Sequence, residues 1–183
     1  MKIFINPGHS VDGEDHGACY NGLRECDVAL KIAERVANYL DVAGLEVKLF
    51  QADWLDQICD ASNYWNSDLF ISIHCNAADN PIARGTETYY FYGSTVGREL
   101  AEYIHAQIVW SVPITNRGVK ESGFAVLSGT KCPAVLIETT FISNVDDAIL
   151  LVKHEDDFAR AIARGVTDFL NDNPLPDVID WSA

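Results

Sequence analysis

Apolar strands alternating with amphipathic helices predict a layered α/β domain. Two observations carry that prediction. Ile3-Phe-Ile5, Leu69 to Ile73 and Ala134 to Ile137 are continuously apolar, as in strands covered on both faces. Between and after them, apolar residues recur at helical spacing. A third observation locates the chemistry. Each apolar run leads into a side chain able to bind metal or move a proton: His9, His74 and Glu138. In open sheets, sites form outside the carboxyl ends of the strands.

The first strand turns at Asn6-Pro-Gly8, and His9 and Ser10 follow. Residues Val11 to Leu23, rich in Asp, Glu and Gly, read as a surface loop. A helix is predicted from Glu25 to just before Gly44, with Val28, Ile32, Val36 and Leu40 on one face and Gly44 as terminator. Leu45, Val47 and Leu49 alternate with Glu46 and Lys48 in a half-buried strand. Asp53 is placed to cap a helix whose face is Leu55, Ile58 and Trp65.

The central strand Leu69 to Ile73 comes next, then Thr86 to Tyr92, whose Thr and Tyr content suits a strand near an edge. Ser94 or Thr95 caps a helix with Val96, Leu100, Ile104 and Ile108 inward. Ser111 to Glu121 reads as a polar loop, and Phe124 to Leu127 as a short strand. The strand Ala134 to Ile137 then delivers Glu138 into a loop. A last helix runs from about Glu155 to Leu170, with Phe158, Ile162, Val166 and Phe169 inward. The Pro-containing acidic stretch 171–183 reads as a tail or linker.

The chain of 183 residues suits one domain with a full core. Thirteen Lys and Arg against 27 Asp and Glu give a formal charge of −14, which argues against nucleic acid and against an anionic membrane surface. The five cysteines, at 19, 26, 59, 75 and 132, include no Cys-x-x-Cys pair and read as reduced thiols. The sequence shows no signal region and no apolar run of transmembrane length, so cytoplasmic synthesis is expected.

Catalytic zinc usually takes three protein ligands and leaves one position open. His9, His74 and one glutamate make such a set, with a further carboxylate as base. Spacing alone does not say which glutamate does which, since Glu25 is equally read as a first-turn acid favoured by the helix dipole. Nucleophilic catalysis is the rival chemistry. Cys75 adjoins His74, but neighbours on a strand point to opposite faces, so Cys75 reads as a buried small residue. Cys132 reads as structural. There is no Gly-x-Ser-x-Gly elbow and no phosphate-binding glycine loop. His154-Glu155 starts like His-Glu-x-x-His but has Phe158 in the fifth place. His16 and His105 read as a loop residue and a packed residue.

Five stretches together resemble the zinc-dependent N-acetylmuramoyl-L-alanine amidases of the type 3 group: Ile5-Asn-Pro-Gly-His9, Gly22-Leu-Arg-Glu25, Asp68 to Ala77, Arg117-Gly-Val-Lys120, and Pro133 to Glu138 with Phe141-Ile-Ser-Asn144. The resemblance spans Lys2 to about Leu170. It implies a single three-layer domain, a mostly parallel mixed sheet flanked by helices on both faces. It implies that His9, Glu25 and His74 hold Zn2+, that Glu138 is the catalytic base, and that Asn76 and Arg117 line the substrate groove. The activity implied is hydrolysis of the amide between N-acetylmuramic acid and L-alanine in peptidoglycan, by a catalytic domain over 1–170. Wall recognition then falls to sugar and peptide contacts, or to a binding module outside this sequence. Phage lysis, non-classical export or excision from a longer protein are the expected routes to the wall.

Departures touch the shell around these residues. Ser10-Val11 stand where the family usually has two glycines, Cys26 where it commonly has Lys, and Thr139-Thr140 precede Phe141. Thr139-Thr140 keep open a first alternative, a non-catalytic or regulatory peptidoglycan-binding module on the same fold; the second alternative is a zinc peptidase cutting within the stem peptide.

Overall fold

The computed structural model describes residues 1–173. In chain order the elements are β1 (Lys2–Pro7), β2 (Cys19–Tyr20), β3 (Leu23–Arg24), α1 (Glu25–Val42), β4 (Glu46–Leu49), α2 (Leu55–Trp65), β5 (Leu69–Asn76), β6 (Thr86–Phe91), α3 (Thr95–Ser111), β7 (Asn116–Ser122), α4 (Ala125–Gly129), β8 (Ala134–Phe141), α5 (Val145–Lys153) and α6 (Glu155–Asp172). Six strands form one sheet in the order β4-β1-β5-β8-β6-β7, and β2 and β3 form a separate ribbon. All neighbours in the sheet are parallel except β6 and β8.

The sheet is buried on both faces, which explains the unbroken apolar runs. Ile3, Ile5, Ile71, Ile73, Val135 and Ile137 pack against α1, α3 and α6. Their alternates Phe4, Phe70, Ala134 and Leu136 pack against α2 and α4 on the other side. The Phe4 and Phe70 rings stack with centroids 5.6 Å apart. The predicted three-layer α/β arrangement is therefore present, with a mixed, mostly parallel sheet.

Local expectations differ in several places, and the predicted loop from Val11 to Leu23 also holds the short β2. The predicted polar loop before Glu121 contains β7, the sheet's edge strand, which pairs with β6 alone. Its Arg, Lys and Glu content hid it, and such charge is what keeps an exposed edge from pairing with another chain. The predicted strand at Phe124 is instead the turn entering the short helix α4, since a four-residue apolar run has no period of its own. The strand predicted to end at Ile137 continues to Phe141, so Glu138 projects from within β8. Asp53 does not cap α2, whose N-cap Trp54 makes no side-chain cap bond. Helix α5 had no counterpart in the sequence reading. Asn144 caps it by accepting from the Asp147 amide.

Two expectations on helix ends hold: Ser94 caps α3 by accepting from the Gly97 amide, and Gly44 follows the end of α1 with φ 86°. The last helix runs two residues past Leu170, and the rest of the expected tail, from residue 174 on, lies outside the described residues. No helix among the described residues is long and apolar enough to cross a membrane.

Helices α3 and α6 lie against each other through Gly165. A Cβ there would sit 2.5 Å from the Ile104 Cα, which is backbone and cannot swing away. Gly165→Ala is therefore expected to destabilise the protein by about 1–3 kcal/mol through overpacking, although alanine gains roughly 1 kcal/mol of helix propensity. A thermal melt checks this: the midpoint should fall in the variant.

Candidate metal centre

The carboxyl ends of β1 and β5 deliver the two histidines side by side. The Gly8 amide donates to the Ile73 carbonyl at 2.8 Å, extending the pairing to the turn. Gly8 packs on the His74 ring so closely that a Cβ would lie 2.3 Å from it. His9 takes the left-handed conformation, with φ 59°, which few residues with a Cβ adopt. The turn thus aims His9 back over the sheet, and the His9 and His74 rings meet edge to face at 5.3 Å.

Glu25 is the first residue of α1 and its carboxylate lies between the rings. Oε1 is 3.0 Å from His74 Nδ1, and Oε2 is 3.2 Å from His9 Nε2. Each oxygen also accepts a backbone N–H, Oε1 from Cys75 at 3.0 Å and Oε2 from Ala18 at 2.9 Å. The side chain is almost wholly buried, so these partners are what make a charge tolerable there. One donor atom from each of His9, Glu25 and His74 falls within 4.8 Å of the others. Two imidazoles and a carboxylate at that spacing are a donor set that could hold a metal ion.

The charges couple as this geometry requires. Burial works against the His9 imidazolium, but the Glu25 and Asp15 carboxylates prevail and raise it to about 9. Burial would raise Glu25, yet the His74 and His9 rings hold its carboxyl far below the usual range. A cation held among these three groups would take over the role that the proton plays here.

Glu138 pairs in register with His74 across β5 and β8, one strand over. Burial pushes its carboxyl up to about 7; His74 opposes the shift, while Glu25 and Glu87 add to it. Its Oε2 is buried and has no partner among the described residues. The same side chain lines a cavity with His9, Asp15 and His74, whose other wall is apolar: Leu55, Ile58, Phe124, Val126 and Leu136. A carboxyl poised near neutral beside this cluster is equipped to take and return a proton.

Asn76 and Arg117 lie beyond Glu138, joined through Glu87. Asn76 Nδ2 donates to Glu87 Oε1 at 2.6 Å, and Arg117 Nε is 3.3 Å from Oε2. The unusual threonines face inward. Thr139 Oγ1 donates to the His74 carbonyl at 2.9 Å, and Thr140 bonds to buried Asp147, which also accepts from the Gly85 and Phe141 amides. They brace the strands that carry His74 and Glu138.

The other candidates lie elsewhere. His105 is buried between Thr88 and Asn116, His154 pairs with Asp157, and His16 is outside the triad. Cys75 is buried with its thiol pushed well up, and burial raises Cys132 to about 12. Neither is a poised nucleophile.

Sequence reasoning missed Asp15, Asp53, Glu87 and Lys120. Asp15 Oδ2 is 2.9 Å from His9 Nδ1, and its Oδ1 accepts from the Gly17 amide at 2.9 Å. Asp53 ties the same loop down by accepting from the Glu14 amide. The signal for Glu87 was visible, a lone acid inside the Thr86 to Tyr92 strand.

Residues 3–168 match the family described as N-acetylmuramoyl-L-alanine amidase. The amidase LytC of Bacillus subtilis is 37% identical over 175 residues, covering 91% of this chain and 35% of LytC. The chain thus spans about a third of that relative. Among solved structures, AmiC2 of Nostoc punctiforme is 34% identical with a TM-score of 0.86, covering 93% of this chain and 97% of AmiC2. The N-acetylmuramoyl-L-alanine amidase from Clostridium difficile 630 is 32% identical with a TM-score of 0.88, covering 94% of this chain and 97% of its own.

The Asp15 contact leads to a prediction. A carboxylate on the far nitrogen of a ligating histidine fixes its tautomer and orientation, and losing it typically costs about 10–100-fold in metal affinity. Asp15→Asn is expected to weaken divalent-metal binding by that factor without unfolding the chain, read by competition against a chelator.

Proposed function

The chain belongs to the N-acetylmuramoyl-L-alanine amidase family, and on that basis we propose that it hydrolyses the bond between the lactyl group of N-acetylmuramic acid and the L-alanine of the peptidoglycan stem. The catalytic unit is residues 1–170, and peptidoglycan is the partner. The observation that carries the reading is the partnerless buried oxygen of Glu138 beside the His9, Glu25 and His74 cluster.

His9, Glu25 and His74 would hold zinc, the usual metal for two histidines and a carboxylate. Bound there, zinc supplies Lewis acidity toward a carbonyl and makes water a nucleophile near neutral pH. Glu138 accepts the proton of the attacking water and passes it to the departing nitrogen of L-alanine, so no covalent enzyme intermediate is needed. Its burial keeps the proton affinity high enough for the second transfer. Asp15 orients His9 from behind, and the Thr139 hydroxyl holds the His74 carbonyl. The apolar wall from Leu55 to Leu136 excludes water from one side of the reacting bond. With a net charge of −14, binding to an anionic wall depends on specific sugar and peptide contacts rather than general attraction.

Digestion of purified walls tests this. The wild type should release peptides that begin with L-alanine and leave intact glycan; cleavage within the stem would mean a peptidase. Glu138→Gln should keep its metal and lose at least about a hundredfold in kcat, the usual scale of a general base. Because only the carboxylate form of Glu138 accepts a proton, wild-type kcat/KM should fall on the acid side of an inflection at or below about 7. A bound cation favours the carboxylate and moves that inflection downward. Wild-type turnover by Glu138→Gln would remove the assignment.

A further inference from the structure

We propose that Arg117 and Lys120, organised by the buried Glu87, form a subsite for a free carboxylate on the stem peptide. The proposal rests on the amidase reading and adds a specificity to it.

Glu87 is the second residue of β6, and its side chain is 3% exposed. Its Oε1 accepts from Asn76, and its Oε2 meets both Arg117 Nε and the Lys120 ammonium. One acid needs one cation for neutrality. This one has two, so the group keeps a net positive charge. In a chain with 27 acids and 13 bases, two cations sharing one acid run against the overall balance.

The spare donors are accessible and rigid. The Arg117 and Lys120 side chains are 35% and 40% exposed. The Arg117 guanidinium lies 4.9 Å from the centre of the Phe141 ring, and the Lys120 ammonium 5.9 Å from that of Tyr89. A guanidinium has five N–H donors, and Glu87 engages only Nε. An incoming carboxylate meets a fork already held in place, which lowers the entropy cost of binding it.

Position names the ligand. Glu87 is the direct partner of Glu138 in the antiparallel β6–β8 register, so the two side chains share one face. His74 neighbours Glu138 from the other side. Across β5, β8, β6 and β7 the order is therefore metal-binding histidine, base, buried acid, cation pair. Two strand spacings of about 4.8 Å put β7 roughly 10 Å from β8. An extended peptide advances about 3.3–3.6 Å per residue, so two or three residues past the scissile bond reach the pair. A carboxylate carried just after the L-alanine is within that range.

The test uses the full chain and two sets of ligands that differ only at the residue after L-alanine, which bears a free carboxylate or its carboxamide. Binding of the released peptides is measured by calorimetry, and turnover of the matching muramoyl peptides in parallel. The acid peptide should bind about tenfold more tightly than the amide, as a charge-assisted contact implies. The gap should close to under about twofold in Lys120→Met and persist in Lys120→Arg, and it should narrow at high salt. Equal Kd values in the wild type, or a gap untouched in both Lys120→Met and Arg117→Met, would overturn the subsite. Cleavage without a gap removes the subsite alone. A gap without cleavage of either muramoyl peptide supports the subsite and removes the amidase reading.

Discussion

The structure depends on one buried carboxylate. Glu25 sits between two imidazoles at the start of α1, and each of its oxygens meets one ring and one backbone amide. Removing a carboxylate from water costs several kcal/mol unless partners replace the lost hydration. Those partners come from three separate parts of the chain: the turn after β1, the end of β5 and the loop before β2. The helix dipole adds a favourable field at the first turn of α1. Holding Glu25 therefore fixes α1 against the sheet and fixes the spacing of His9 and His74. Its two ring contacts are what bring His9, Glu25 and His74 together.

The sheet then determines what lies next to what. Parallel neighbours β1, β5 and β8 end at the same rim, so His9, His74 and Glu138 arrive together. The one antiparallel neighbour, β6, begins where β8 nears its end, which places Glu87, its second residue, directly beside Glu138. Glu87 in turn gathers Asn76, Arg117 and Lys120. Strands and rim loops thus supply a row of chemically different groups, with the apolar cavity wall from α2 and α4 along one flank. The two histidines and the cation pair thus lie at opposite ends of the row.

Much of this was legible in the sequence, for physical reasons. Runs such as Ile3 to Ile5 and Leu69 to Ile73 are buried on both faces, and strands of that kind leave an unbroken apolar signature. The inward stripe Phe158, Ile162, Val166 and Phe169 marked α6 the same way. The division of roles between Glu25 and Glu138 was not legible from spacing. It depends on where α1 begins relative to β5, a distance that exists only in the folded chain, and a family resemblance supplied it. Polar elements were the least visible. β7 is an edge strand dressed in charge, and α4 is too short to show a period. Asp15 sits in an exposed acidic loop whose composition is that of a solvated turn, and only the 2.9 Å contact with His9 gives it a purpose. Thr139 and Thr140 stand out in the sequence as departures from the residues the family usually has there. Both are fully buried and brace β8, so polarity there reflects hydrogen bonds that no sequence pattern announces.

The proposed site draws three side chains from separate elements around one zinc. Elemental analysis of the purified chain, alongside Glu25→Gln, tests it most directly. About one zinc per chain is expected in the wild type, as a site with three protein ligands implies, with loss of that metal in the variant. A well-folded wild type that takes up no zinc even when zinc is added, or a variant that keeps its full complement, would contradict it.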